Sequence, residues 1–144
     1  MLLLYCTMSR YIPESVRLLV AARANHRCEY CLLPQKVAGF SFEIDHVISL
    51  KHGGSSATDN LAWSCPLCNG NKGSDLGTLV GSHPKQLVRF FNPRTDVWEE
   101  HFEILDGEIL SKTPIGEATV RIFDFNRPED IAIRQKLAAI GFFP

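Results

Sequence analysis

EIDHVISLKHGGSSATDNLAWSCPLCNGNK, residues 43–72, is the stretch on which the reading of this chain turns. It ends in Cys65-x-x-Cys68 and the four residues after it, and an identical spacing, Cys28-x-x-Cys31, lies upstream. Two residues between paired cysteines let both sulfurs reach one ion from a tight turn, and two such pairs supply the four thiolates of a closed tetrahedral zinc site. The 33 residues between the pairs, positions 32–64, exceed the usual zinc-ribbon loop of about 15–20. Something structured is therefore inserted between the knuckles. A zinc ion held by four thiolates has no open position, so its expected role is to hold the fold together.

The insert carries the residue types of a hydrolytic site. Phe40 to His46 alternates as a strand does, with Phe40, Phe42, Ile44 and His46 expected on one face and Ser41, Glu43 and Asp45 on the other. Neighbours on a strand point to opposite faces, so Asp45 and His46 can serve two different partners, a metal and a water. Carboxylate oxygen and the amide oxygen of Asn69 are hard ligands suited to Mg²⁺ or Mn²⁺. An imidazole of near-neutral pKa can take a proton from water.

Asp45-His46, Gly53-Gly54, Asn60-Leu61, Cys65 and Cys68, Asn69 and Lys72 follow one another at spacings that resemble those of the HNH endonuclease family. The resemblance covers residues 25–75, and it implies a ββα-metal, treble-clef-like nuclease core. It implies His46 as general base, and Asp45 and Asn69 as ligands of a catalytic Mg²⁺ or Mn²⁺. Asn60 would align His46 or pin the loop that carries it, and Lys72 would face the phosphates, with Lys51 and Arg27 as further basic contacts to DNA. Asn69 stands where many members have His, an exchange that favours Mg²⁺ over softer ions, and Asn71 is the alternative ligand two residues on. The tail from FNPRTDVWEEHF to NRPED looks like the C-terminal extension of small stand-alone bacterial members.

Working outward, residues 13–25 read as a helix opened by Pro13 and stopped at Asn25. The segment 51–59 is a loop, Asn60–Cys65 a second short strand, and 66–72 a turn entering a helix. Trp98–Leu105 and Glu108–Lys112 read as strands joined at Asp106-Gly107. Thr113-Pro114 opens a helix running to about Phe125, and Asn126-Arg127-Pro128-Glu129 caps another that ends at Gly141. The expected class is α+β. A zinc ion on four cysteines staples the core, with a helix before it and a small α+β extension, about 90–144, after it, all in one domain of 144 residues.

Composition narrows the function. Apolar residues at 45% and charged residues at 22% suit a globular domain, and no apolar run approaches the roughly 18 residues of a membrane span. Met1–Tyr5 lacks the basic start of a signal peptide, which makes the cytoplasm the expected location, where five cysteines argue for metal or chemistry before disulfides. The net charge of −1 excludes a uniformly basic nucleic-acid coat. Charge is nevertheless uneven, +3 through Arg89 and −4 beyond it, so a nucleic-acid contact belongs to the front half. Cys6 reads as a buried thiol, and Trp98, Phe102, Phe90 and Phe91 as core. His101 reads as packing or surface, and His26, His52 and His83 have no assigned role. The expected function is a metal-dependent endonuclease acting on double-stranded DNA, with dimerisation open. The alternatives are a non-catalytic zinc-dependent nucleic-acid-binding module and a zinc-stabilised protein-interaction domain.

Overall fold

Pro13 sets the first turn of helix α1 (Glu14–Arg23), and the chain leaves it through Asn25 and His26, both at positive φ. The computed structural model describes residues 10–143, so the readings of Met1–Tyr5 and of Cys6 lie outside the described residues. A knuckle follows α1, then the single helical turn α2 (Gln35–Ala38). Strand β1 (Glu43–His46) pairs antiparallel with β2 (Leu61–Ser64), setting Asp45 opposite Ala62 and His46 opposite Leu61. The strand begins at Glu43 and not at Phe40: β2 is four residues long, so residues 40–42 have no partner strand, and Phe40 is exposed. All four residues of β2 are buried, and Arg23 of α1 donates to the carbonyls of Thr58 and Leu61 at its entrance. Helix α3 (Pro66–Lys72) starts directly after, with Cys65 at its N-cap.

After α3 the structure differs from expectation in three places. A hairpin of β3 (Gly77–Val80) and β4 (Gln86–Arg89) pairs Thr78 with Val88 and Leu79 with Leu87. Its outward face carries Leu79 and Leu87, both exposed, so the polar–apolar alternation that marks a strand in sequence is missing. Residues 98–101 form a helical turn, α4 (Trp98–His101), and only Phe102–Leu105 is strand, β5. Trp98 and Phe102 are four apart and stack with ring centroids 5.0 Å apart, a helical spacing and not an alternating one. Asn126 does not cap the last helix; its amide bonds both the N–H and the carbonyl of Ile109 in β6 (Glu108–Ser111).

The rest follows the sequence. Asp106-Gly107 turns β5 into β6. Thr113 caps α5 (Pro114–Phe123) by accepting from Gly116 N, and the helix stops two residues early because Asp124 turns left-handed. Helix α6 (Pro128–Ala139) ends before Gly141. Among the described residues no helix is long and apolar enough to cross a membrane.

Core and extension share one buried cluster. Tyr30 of the first knuckle packs on Phe123 of α5 at 4.9 Å, and Phe123 in turn meets Phe90 and Phe125. Phe90, Phe91 and Phe102 are buried as expected, and His101 packs against Phe91 and Phe102. Truncating a wholly buried ring such as Phe123 costs about 3–5 kcal/mol.

The loop after β4 is tied by Asp96, which accepts two bonds from the Arg89 guanidinium and one from Asn92 N. Arg89 holds the Asp96 carboxyl below the usual carboxylate range. A lowered folded-state pKa contributes stability that is present above about pH 3.9 and lost as pH falls through the folded value. Asp96→Asn should therefore lower the melting temperature at pH 7, and thermal melts of the two proteins should converge as the pH falls through the lowered folded-state value.

Candidate functional site

Two turns bring the four knuckle cysteines together. In the first, Leu32 sits at positive φ and donates its N–H to Cys28 O, while Cys28 N bonds Leu33 O. In the second, the start of α3 places Cys68 N on Cys65 Sγ at 3.4 Å. All four sulfurs lie within 4.8 Å of one another and are buried, with Cys31 and Cys65 3.8 Å apart. Tetrahedral zinc at about 2.3 Å from each sulfur sets neighbouring ligands about 3.8 Å apart, so the cluster fits the ion. Electrostatics agree. The Cys28 thiol is held well below its ordinary value: burial opposes ionisation, but bonds from Cys31, Cys65 and Cys68 outweigh it. Cys31 and Cys68 move the other way, chiefly because they bond to Cys28. The cluster without metal accommodates few negative charges, and a divalent cation is what lets the remaining protons leave.

The second site is a shallow cleft of about 400 Å³ where β1, the loop after it and α3 meet. Asp45, His46, Lys51, Asn69 and Arg10 line it. Asp45 is 3% exposed; Lys72 Nζ donates to its Oδ1 at 3.1 Å and the Tyr30 hydroxyl to its Oδ2 at 2.5 Å. Burial pushes the Asp45 carboxyl above its ordinary value, against the pull of Lys72 and Tyr30. His46 is half-buried with Nε2 3.0 Å from Ser56 Oγ, and burial lowers its pKa. The imidazole is thereby biased toward the neutral form that accepts a proton. Asn69 donates its amide nitrogen to Glu43, leaving Oδ1 out of that bond. Each Asp45 oxygen accepts one of these hydrogen bonds and retains further lone pairs. Asp45 and Asn69 both line the cleft, and carboxylate and amide oxygens are the hard donors that a divalent cation takes.

Asn60 makes three bonds, accepting from Ile48 N and donating to the carbonyls of Ile48 and Ser55. These are loop-pinning bonds. Gly53 and Gly54 serve the same loop for different reasons. Gly53 has φ +88, and a Cβ on Gly54 would stand 1.7 Å from Ile48 O.

Three basic residues divide. Lys51 is exposed at the cleft, as a phosphate contact requires. Lys72 is only 2% exposed; its ammonium is held by Asp45 and by the carbonyl of His46, so it faces the protein and not a phosphate. Its position explains this: Lys72 is one turn past Asn69 on a helix whose inner side packs against β1. Arg27 donates to the carbonyls of Leu32 and Phe142, bracing the first knuckle against the C-terminal residues. Asn71, the alternative ligand, donates its amide nitrogen to Phe123 O of α5 and is not among the residues that line the cleft.

Sequence reasoning misses three residues here. Tyr30 lies inside a knuckle, where attention goes to the sulfurs. Arg10 lies 35 residues before Asp45, beyond any motif spacing. Glu43 lies two residues before Asp45, hence on the same face of the strand, which is the signal that could find its bond to Asn69.

Residues 28–75, one third of the chain, match the family model described as HNH endonuclease. No curated protein and no solved structure matches the chain. Over that segment the chain is similar to a nuclease family, and the Cys28–Cys31–Cys65–Cys68 cluster and the β1–β2–α3 order are consistent with an HNH-type core.

Metal analysis of the purified protein should find about one zinc per chain, and Cys28→Ser or Cys68→Ser should unfold residues 28–75, because the binding energy of such a site, about 10–16 kcal/mol, is folding energy. A folded, zinc-free protein would contradict this. Asn60→Ala strands the N–H and C=O of Ile48 and should cost about 1–3 kcal/mol in denaturant unfolding, with zinc content unchanged.

Proposed function

We propose that this chain is a metal-dependent endonuclease that hydrolyses phosphodiester bonds of double-stranded DNA. The similarity of residues 28–75 to HNH endonucleases supports the reaction class. The observation that carries the reading is the convergence of Asp45, His46 and Asn69 on one open cleft flanked by Lys51 and Arg10.

Each residue has a part that follows from its setting. Neutral His46 takes a proton from the attacking water as its oxygen bonds to phosphorus and the ester P–O bond breaks. Ser56 holds the imidazole ring at Nε2. Lys51 and Arg10 meet the phosphate oxygens from solvent-facing positions. Asp45 and Asn69 would hold the cation, which would supply Lewis-acid stabilisation of the charge on the departing oxygen. Lys72 bridges Asp45 and the His46 carbonyl, fixing the two reacting residues relative to α3.

One observation favours the non-catalytic binding module: Asp45 is already paired with Lys72 and Tyr30 and is satisfied without a metal. A plasmid-nicking assay with Mg²⁺ or Mn²⁺ omitted and restored decides between them. Cleavage should depend on the added cation, and His46→Ala should lose about 10²–10⁴-fold in rate while retaining DNA binding and one zinc per chain. Cleavage by His46→Ala at the wild-type rate would reject His46 as the base. The absence of cation-dependent cleavage by the wild type, with DNA binding intact, would give the binding module the lead.

A further inference from the structure

Asp45 is reached from the zinc knuckle through one side chain. Tyr30 stands between Cys28 and Cys31, is wholly buried, and is fixed from three directions. Its ring lies 4.9 Å from that of Phe123, its carbonyl accepts from Trp98 Nε1 at 2.9 Å, and its hydroxyl donates to Asp45 Oδ2 at 2.5 Å. The other carboxylate oxygen is held by Lys72 at 3.1 Å. A carboxylate tied at one oxygen can still swing about its terminal torsion, which is broad and nearly unrestrained. Tied at both, it has one orientation. Lys72 supplies the charge, but it sits on the long flexible stem of α3's last residue. Tyr30 is a rigid ring anchored in the knuckle backbone.

We infer that Tyr30 is a positioning residue that sets the orientation of the Asp45 carboxylate toward the catalytic cation, so that the structural zinc knuckle and the cleft are mechanically one unit. The inference rests on the reading of Asp45 as a cation ligand. Outer partners of ligating carboxylates orient the donor atoms, and their loss typically costs about 10–100-fold in metal affinity. Tyr30→Phe removes one oxygen and keeps the ring against Phe123.

The test is Mn²⁺ binding to the full-length, zinc-loaded protein, followed by the electron paramagnetic resonance of free Mn²⁺, with zinc content and melting temperature measured on the same samples. Asp45→Ala should bind Mn²⁺ at least about 10-fold more weakly than wild type. Tyr30→Phe should bind about 10-fold more weakly with one zinc retained. Trp98→Phe, which disturbs the same knuckle turn without touching Asp45, should stay within about twofold of wild type. If Asp45→Ala is weakened and Tyr30→Phe binds like wild type, the positioning role is overturned while Asp45 stands as a ligand. If Asp45→Ala also binds like wild type, the ligand reading fails and the inference with it. Loss of zinc from Tyr30→Phe, or an equal loss of Mn²⁺ affinity in Trp98→Phe, would show that the residue holds the knuckle rather than the carboxylate, and would equally overturn it.

Discussion

Four thiols packed within 4.8 Å of one another cannot all ionise unless a cation joins them, and the elements that carry the cleft are all short. Among the described residues, β1 and β2 are four residues each and pair only with each other; α3 is seven residues long. A two-stranded sheet is marginal alone in water, and so is a two-turn helix. Here both strands and the helix are strung between and just after the knuckles. A zinc ion on the four sulfurs would close the loop from Cys31 to Cys65 at the start of α3, adding a cross-link to the buried cluster that Tyr30, Phe42, Val47, Leu61 and Trp63 already form. The face of β1 that points at α3 is left free for polar groups.

That freedom explains a buried charge pair. Asp45 and Lys72 are each nearly inaccessible, and removing two charges from water is costly unless all their bonding capacity is met. The surroundings supply it, with Tyr30 on the second carboxylate oxygen and the His46 carbonyl as a second acceptor for the ammonium. Either partner alone would be stranded, so the pair is costly to break even if its net contribution to stability is small. Glu29 plays a parallel part on the far side of the knuckle, accepting from Trp63 N and pairing with Arg94.

Much of this is legible in the residues. Cysteine spacing locates both knuckles, and Asp45, His46 and Asn69 fall at one site because β1 pairs with β2, which runs through Cys65 into α3. Lys72 is misread from spacing because its separation from Asn69 fixes an angle around α3 but not which side of the helix is covered; only the packing of α3 on β1 decides that. The side chain of Arg27 misleads for a similar reason, since a basic residue beside a knuckle looks free until Phe142, 115 residues later, comes to meet it. The β3–β4 hairpin escapes because its outward leucines erase the polarity pattern, and residues 98–101 escape because a single helical turn and a strand start offer the same short apolar signal.

The extension holds the core in a manner with a consequence for sequence drift. Trp98 donates to Tyr30 O, Asn71 to Phe123 O and Arg27 to Phe142 O. Every acceptor in that set is a main-chain oxygen, which any amino acid presents equally well. As hydrogen-bond acceptors these positions place no demand on residue identity, and the demand falls on three donors. A homologous chain could therefore exchange most residues along the seam and keep the same junction, provided the backbone path, those few donor side chains and the Glu29–Arg94 pair persist.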